Sequence, residues 1–143
     1  MLEQHETLPI EVRRVTKADF NLETDVANFE RNSLERFLSD SKNVLILAFS
    51  GEKIVGLLRG HILDRYDGKG AEMFLNEIDV SPAFQKKGIA TKMVEQMKVI
   101  ARDNSCSETW VLTNKSNTGA MKLYEATGYQ PINTDDVMLN QKI

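Results

Sequence analysis

A mixed α and β domain is what this sequence predicts, on three observations. Four short apolar segments with strand-like patterning, residues 10–15, 43–49, 54–63 and 73–80, run through the first eighty residues. Two later stretches, 88–103 and 116–127, carry helical spacing instead. With 143 residues, 41% apolar and 27% charged, the chain fits one soluble domain that buries a core without disulfides or structural metal.

Each element follows in order. Ile10-Glu11-Val12-Arg13-Arg14-Val15 alternates as a first strand. Thr16-Lys17-Ala18-Asp19 then opens a helical region reaching about Ser39, with Phe20, Leu22, Val26, Phe29, Leu34, Phe37 and Leu38 as apolar positions and a break into two helices near Asn32-Ser33. Residues 43–49 read as a buried strand, Ser50-Gly51-Glu52-Lys53 as a turn, 54–63 as its hairpin partner and 64–70 as a polar loop. After the strand at 73–80, Ile89, Met93, Met97 and Ile100 recur on one helical face from Gly88 to about Asp103, while Lys92, Glu95 and Lys98 fall elsewhere. That helix packs on the sheet. Residues 109–112 make a short strand, 116–127 a helix stopped by Gly128, and 129–132 and 136–139 two final strands. No internal repeat or low-complexity linker interrupts the pattern.

Composition excludes several function classes. A formal charge of -3 with no long basic run argues against a general nucleic-acid binder and suits a cationic partner. Met1-Leu2-Glu3-Gln4-His5-Glu6 lacks the basic-then-apolar order of a secretory signal, and no apolar run approaches the roughly 20 residues of a membrane span, so no membrane partner and a cytoplasmic location are expected. Cys106 is the only cysteine, and His5 and His61 have no second ligand at metal-binding spacing. No metal is expected, and both histidines read as ordinary surface or packed residues.

The stretch with the most chemical content is Gln85-Lys86-Lys87-Gly88-Ile89-Ala90, between a strand ending in Ile78-Asp79-Val80-Ser81-Pro82 and the amphipathic helix. A glycine permits a turn that a β-carbon hinders, and the first helical turn leaves its N–H groups without intrahelical partners. Those donors, the positive end of the helix dipole and the ammonium groups of Lys86 and Lys87 suit a pyrophosphate. The bland alternative is a glycine ending a turn beside two solvated lysines. The segment has neither the Gly-Lys-Ser/Thr ending of a nucleotide-triphosphate loop nor a complete G-x-G-x-x-G fingerprint.

Val80 through Ala90 resembles the acetyl-CoA-binding motif of the GNAT superfamily of N-acetyltransferases, Val-x-Pro-x-x-Arg/Gln-x-x-Gly-x-Gly/Ala. The run from Asn117 through Ala120 and Leu123-Tyr124 to Gly128-Tyr129 resembles the family's second signature, Asn-x-x-Ala-x-x-Leu-Tyr-x-x-x-Gly-Phe/Tyr. Gln85 stands for the commoner arginine and Ala90 for the commoner second glycine; both occur in the wider pattern. The resemblance extends from about Asn43 to the C-terminus, and the run from Glu77 to Thr91 with Val137-Met138 looks most like the aminoglycoside 3-N-acetyltransferase branch. It implies an α+β, three-layer fold: a central mixed, mostly antiparallel sheet flanked by helices, with acetyl-CoA bound where the fourth and fifth strands splay. By the same resemblance the cofactor contacts are Ile78, Asp79, Val80, Gln85, Lys86, Lys87, Gly88, Ile89, Ala90, Thr91, Asn117, Ala120 and Tyr124.

Acetyl transfer from a thioester to an amine needs a polarised carbonyl, a proton for the thiolate and a neutral amine. In the family, backbone N–H groups at the end of the fourth strand, here around Val80, approach the carbonyl. By resemblance Asn117 contacts the cofactor arm and Tyr124 donates to the thiolate; seven residues apart, they span roughly 10 Å along one helical face. The alternative for Tyr124 is a ring packed on the sheet. Strand alternation puts Glu77 and Asp79 on one face, about 6.6 Å apart, and Ile78 and Val80 on the other. Glu77, where related enzymes often carry an acidic residue, is the expected base. In the competing reading Glu77 and Asp79 bind a positive substrate or pair with an arginine such as Arg59. Asp135 and Asp136 are further acceptor contacts or ordinary turn residues. Cys106 lies beyond the far end of a helix some 22 Å long, so direct attack in a ternary complex is expected rather than an acetyl-cysteine.

The expected activity is thus acetyl-CoA-dependent transfer to a primary amine, an aminoglycoside or other small polyamine. A protein or peptide acceptor is the second reading, and an acyl-CoA-binding sensor module the non-enzymatic one, against which Asn117, Tyr124 and Glu77 together argue. Exposed sheet edges leave room for a homodimer.

Overall fold

Six consecutive buried residues, Val44 to Phe49, make the second strand an interior one, covered on both faces. It belongs to the first of two units into which the chain divides, Met1–Leu112 and Thr113–Ile143. The structure, a computed structural model, describes residues 8–19, 29–132 and 135–143.

The first unit holds β1 (Ile10–Val15), a 3-10 turn (Lys17–Asp19), α1 (Arg31–Leu38), β2 (Asn43–Ser50), β3 (Lys53–Leu63), β4 (Ala71–Val80), a second 3-10 turn (Pro82–Phe84), α2 (Ile89–Asp103) and β5 (Cys106–Val111). The strands lie side by side in chain order, antiparallel except for the parallel pair β4 and β5. On one face Leu45, Leu47 and Phe49 form a core with Val15, Leu38 and the α1 residues Leu34 and Phe37. On the other, α2 brings Met93 and Met97 down onto β3. A Cβ at Gly56 would lie 3.1 Å from Met93 Cε and 3.2 Å from Ala48 Cβ, so glycine is what lets α2 approach so closely. Ile46, Leu58, Met73, Leu75, Ile89, Met93 and Met97 are fully buried, each contributing about 1.5–3 kcal/mol relative to exposure.

Expectation and structure differ at three places. α1 runs unbroken through Asn32 and Ser33, because the N-cap Glu30 accepts from their N–H groups at 3.0 and 2.7 Å and makes them its first turn. Residues 20–28, with Phe20, Leu22 and Val26, lie outside the described residues, as does His5. β5 begins at Cys106, ahead of the expected start at 109. The two final strands are not formed among the described residues. A strand is held by cross-strand pairing and one buried face, whereas Ile132, Val137 and Leu139 are 94%, 79% and 87% exposed.

The feature that sets up the site is in β4. Pairing with β3 runs through Arg59↔Glu77 and resumes at Gly60↔Leu75, so Asn76 is an extra residue, a β-bulge. Because the bulge changes the parity, Met73, Leu75, Ile78 and Val80 all share the α2 face, while Phe74, Glu77 and Asp79 share the α1 face. Pairing with β5 ends at Leu75↔Val111. From Asn76 to Val80, β4 runs on beside no fifth-strand residue.

The second unit contains α3 (Thr118–Ala126), capped by Asn117 and ended at Gly128 with φ +95°. The chain turns back there through the Tyr129 N–H, which donates to the Tyr124 carbonyl at 2.9 Å, and the two rings meet edge-on at 5.5 Å.

Candidate functional site

The turn from β4 into α2 is fastened by its own side chain: Gln85 Nε2 donates to the Val80 carbonyl at 3.0 Å, and the Ser81 N–H donates to Val55 at 2.9 Å. Two residues then take positive φ, Lys86 at 61° and Gly88 at 80°. The first bond of the helical ladder is Lys92 N–H to the Gly88 carbonyl at 3.1 Å, which leaves the N–H groups of Gly88, Ile89, Ala90 and Thr91 ahead of it, with no side-chain cap. A Cβ built on Gly88 meets no protein atom within 4 Å. The space over these donors is open, and the helix dipole makes it electropositive.

The cations differ in how they are held. Lys87 Nζ sits 5.4 Å from the centroid of the Phe84 ring, and Lys53 Nζ, from the start of β3, sits 5.6 Å from the same ring. None of the ion pairs among the described residues uses Lys53, Lys86 or Lys87. Open backbone donors, a dipole and uncommitted ammonium groups fit a pyrophosphate. At this turn Ile89 presents only its backbone, since its side chain is 2% exposed and belongs to the core. Lys53 has no signature in the sequence and joins the turn only through the hairpin.

On the α1 face, Glu77 lies opposite Arg59, whose Nε is 3.5 Å from the Glu77 carboxylate. That Nε is buried and makes no hydrogen bond, so Glu77 is the charge that offsets it. This is the pairing left open by the sequence as the alternative to a base. Asp79 is exposed and opposite Leu57; Ile78 is half-buried and Val80 buried on the other face, as alternation requires.

Beside that pair stands a cluster that sequence reasoning missed. His61 Nδ1 is 3.0 Å from Asn43 Oδ1, and Nε2 is 3.5 Å from Nδ2 of the bulge residue Asn76. Its ring meets Phe37 edge-on at 5.8 Å and Phe74 at 6.3 Å, and Phe74 stacks on Trp110 at 4.3 Å. Burial, and the positive Arg59 beside it, hold the imidazole below the ordinary histidine value of 6.5. The partners are asparagines 18 and 15 residues away on other strands, so a search for His or Cys at ligand spacing passes over them. Only the hairpin register, Asn43↔His61↔Phe74, carries the signal.

In the second unit, Asn117 is the cap of α3 and not a residue of the helix. Its Oδ1 accepts from the Ala120 N–H at 3.1 Å, which leaves the Asn117 amide N–H groups as the outward donor. Tyr124 is buried, and burial raises its phenol above the usual 10, so it keeps its proton through neutral pH. Asp135 and Asp136 are exposed and lie in no regular element. Cys106 opens β5 opposite Ala71, at the far end of that strand from Leu75↔Val111, and burial pushes its thiol up, which makes it a poor nucleophile. No described helix is long and apolar enough to cross a membrane.

Comparison with known proteins gives a match to the acetyltransferase (GNAT) family over residues 10–129. The chain is 33% identical over 64 residues to a thialysine N-epsilon-acetyltransferase of Bos taurus, covering 45% of this chain and 38% of that one. It is 27% identical over 112 residues to N-acetyltransferase 8 of Homo sapiens, covering 78% and 48%. It thus spans less than half the length of these curated relatives. Among solved structures, an aminoglycoside acetyltransferase from an uncultured soil metagenomic sample, in complex with sisomicin, shares the fold with a TM-score of 0.76 at 16% identity, over 94% of this chain and 95% of that one.

Proposed function

We propose, for a chain that belongs to the acetyltransferase (GNAT) family, transfer of an acetyl group from acetyl-CoA to a primary amine by direct attack in a ternary complex. Acetyl-CoA is the cosubstrate of that family. The observation that carries the reading is the α2 turn, where four backbone N–H groups and an open Gly88 sit at the end of a strand that has parted from β5. When bound, acetyl-CoA supplies the acetyl group as a thioester. Gly88, Ile89, Ala90 and Thr91 offer backbone donors to its pyrophosphate, with Lys86 and Lys87 adding charge, while Gln85 keeps the turn closed. The backbone from Ile78 to Val80, including Asp79, lines the pantetheine arm and orients the acetyl carbonyl. From the family's second signature, Asn117 and Ala120, at the start of α3, are assigned to the pantetheine arm, and Tyr124, whose phenol keeps its proton, is assigned as donor to the departing thiolate.

The acceptor is a small, multiply charged amine of the aminoglycoside or polyamine kind. Glu77, Asp79, Asp135 and Asp136 hold its ammonium groups, and the net charge of -3 favours its approach. The name of the bovine relative, a thialysine acetyltransferase, supports a small-molecule amine, and the run from Glu77 to Thr91 supports the 3-N branch of aminoglycoside enzymes. A family match running from 10 to 129 supports one acetyltransferase domain. The test is thiol release from acetyl-CoA against aminoglycosides, polyamines, free amino acids and peptides carrying a free N-terminus or lysine. Turnover with the first two classes is expected. Turnover only with peptides would move the acceptor to protein, and tight CoA binding without turnover would make the chain a sensor.

A further inference from the structure

We infer that His61 is the base that takes the proton from the acceptor amine, with Asn43 as its positioning residue. The inference rests on the acetyltransferase reading above and changes the role expected for Glu77.

The orientation is built in two steps. Asn43 Nδ2 donates to the Phe37 carbonyl at 3.0 Å, which turns Asn43 Oδ1 toward His61. An oxygen 3.0 Å from Nδ1 requires that nitrogen to carry the proton, so the lone pair is on Nε2. Nε2 faces the bulge, where the Asn76 amide at 3.5 Å is too far for a well-formed hydrogen bond. Asn76 is the first β4 residue past the last pair with β5. A neutral imidazole with a fixed tautomer and a loosely engaged lone pair thus stands where β4 and β5 part. Phe37 and Phe74 hold the ring from either side.

Glu77 is less suited to the task. It is committed to the buried Nε of Arg59, and a carboxylate is a weaker base near neutral pH than an imidazole. Of the charged groups that register puts on the same sheet face, Arg59 on β3, Glu77 and Glu72 on β4 and Glu108 on β5, Arg59 acts on the imidazole and Glu72 is tied to Arg65 at 2.6 Å. α1 meets the ring through Phe37, while Glu35 and Arg36 are exposed. In the step itself, the amine nitrogen bonds the acetyl carbon as the carbon–sulfur bond breaks. One amine proton goes to His61 Nε2 and the Tyr124 phenol proton to sulfur, after which solvent carries the proton from His61 back to Tyr124.

The test is the pH dependence of kcat at saturating acceptor in the wild type, His61→Gln, Asn43→Asp and Glu77→Gln. In the wild type, the acid limb is expected with a midpoint below 6.5. His61→Gln is expected to lose about a hundred-fold or more in kcat, and with it the limb, while calorimetric affinity for acetyl-CoA is kept. Asn43→Asp gives up the bond to the Phe37 carbonyl but keeps an oxygen acceptor for Nδ1–H, and its negative charge should move the limb upward, a shift that lost packing would not produce. Glu77→Gln should keep the limb and raise KM for the amine. A wild-type midpoint in the carboxylate range, or a limb removed by Glu77→Gln and retained in His61→Gln, overturns the inference. A wild type that acetylates no amine contradicts the acetyltransferase reading instead, before any variant is made.

Discussion

The turn into α2 and the α1 face of β4 are fed by the same strand, yet they present opposite chemistry by opposite means. At the turn the donors are backbone N–H groups, freed by the start of a helix and uncovered by Gly88, so side-chain identity matters little and the missing β-carbon matters most. On the α1 face the groups proposed to act are side chains, Glu77, Asp79 and His61, aimed by cross-strand register and by the bulge at Asn76. One region suits an anion and the other a cation. A substitution at the turn should therefore act on one substrate alone, and a substitution on the face on the other.

The largest effect outside His61 is expected at Tyr124, the proposed proton donor to the thiolate. Tyr124→Phe keeps the ring against Tyr129 and removes the proton, so kcat should fall about ten- to a thousand-fold with acetyl-CoA affinity little changed. Because burial raises the phenol above 10, the protonated form persists through neutral pH, and the midpoint of any alkaline loss of wild-type turnover assignable to this group should lie above 10. Wild-type turnover in the variant would return Tyr124 to a packing role. Gly88→Val comes next. Its Cβ meets no protein atom within 4 Å, so beyond about 1–2 kcal/mol of left-handed backbone strain the damage should fall mainly on the ligand. Calorimetry should find acetyl-CoA binding strongly weakened in the folded variant, and Lys98→Ala without effect.

Smaller effects belong to exposed charge. If Asp135 and Asp136 hold a cationic acceptor, Asp135→Asn with Asp136→Asn should raise KM several-fold with kcat retained, and KM should rise with ionic strength as screening sets in at a Debye length of about 8 Å. Salt-independent KM values would remove both from the acceptor site. Smallest is Lys53→Ala, which leaves Lys87 on the Phe84 ring and should weaken acetyl-CoA binding only a few-fold.

What could be read from the chain follows the same division. The turn is contiguous from Val80 to Thr91, so its glycine, lysines and flanking apolar periodicity were legible together. So were β2, β3, β4 and α2, whose patterns are long and strongly periodic. The alternation of Glu77 and Asp79 against Ile78 and Val80 was legible too, whereas the extra residue at Asn76 was not, since a bulge is a property of two strands in register. His61 read as an isolated residue because Asn43 and Asn76 become its neighbours only when three strands pair. The strands expected at 129–132 and 136–139 show the converse: alternating apolar residues specify a strand only where a partner and a buried face exist to take them.

The division between the two regions is tested most directly by a single two-substrate kinetic matrix, KM for acetyl-CoA and KM for a polyamine or aminoglycoside acceptor, measured in wild type, Gly88→Val and Glu77→Gln. Gly88→Val is expected to raise the first constant and not the second, and Glu77→Gln the second and not the first. Both constants rising together in either variant, or Gly88→Val leaving the acetyl-CoA constant unchanged, would contradict it.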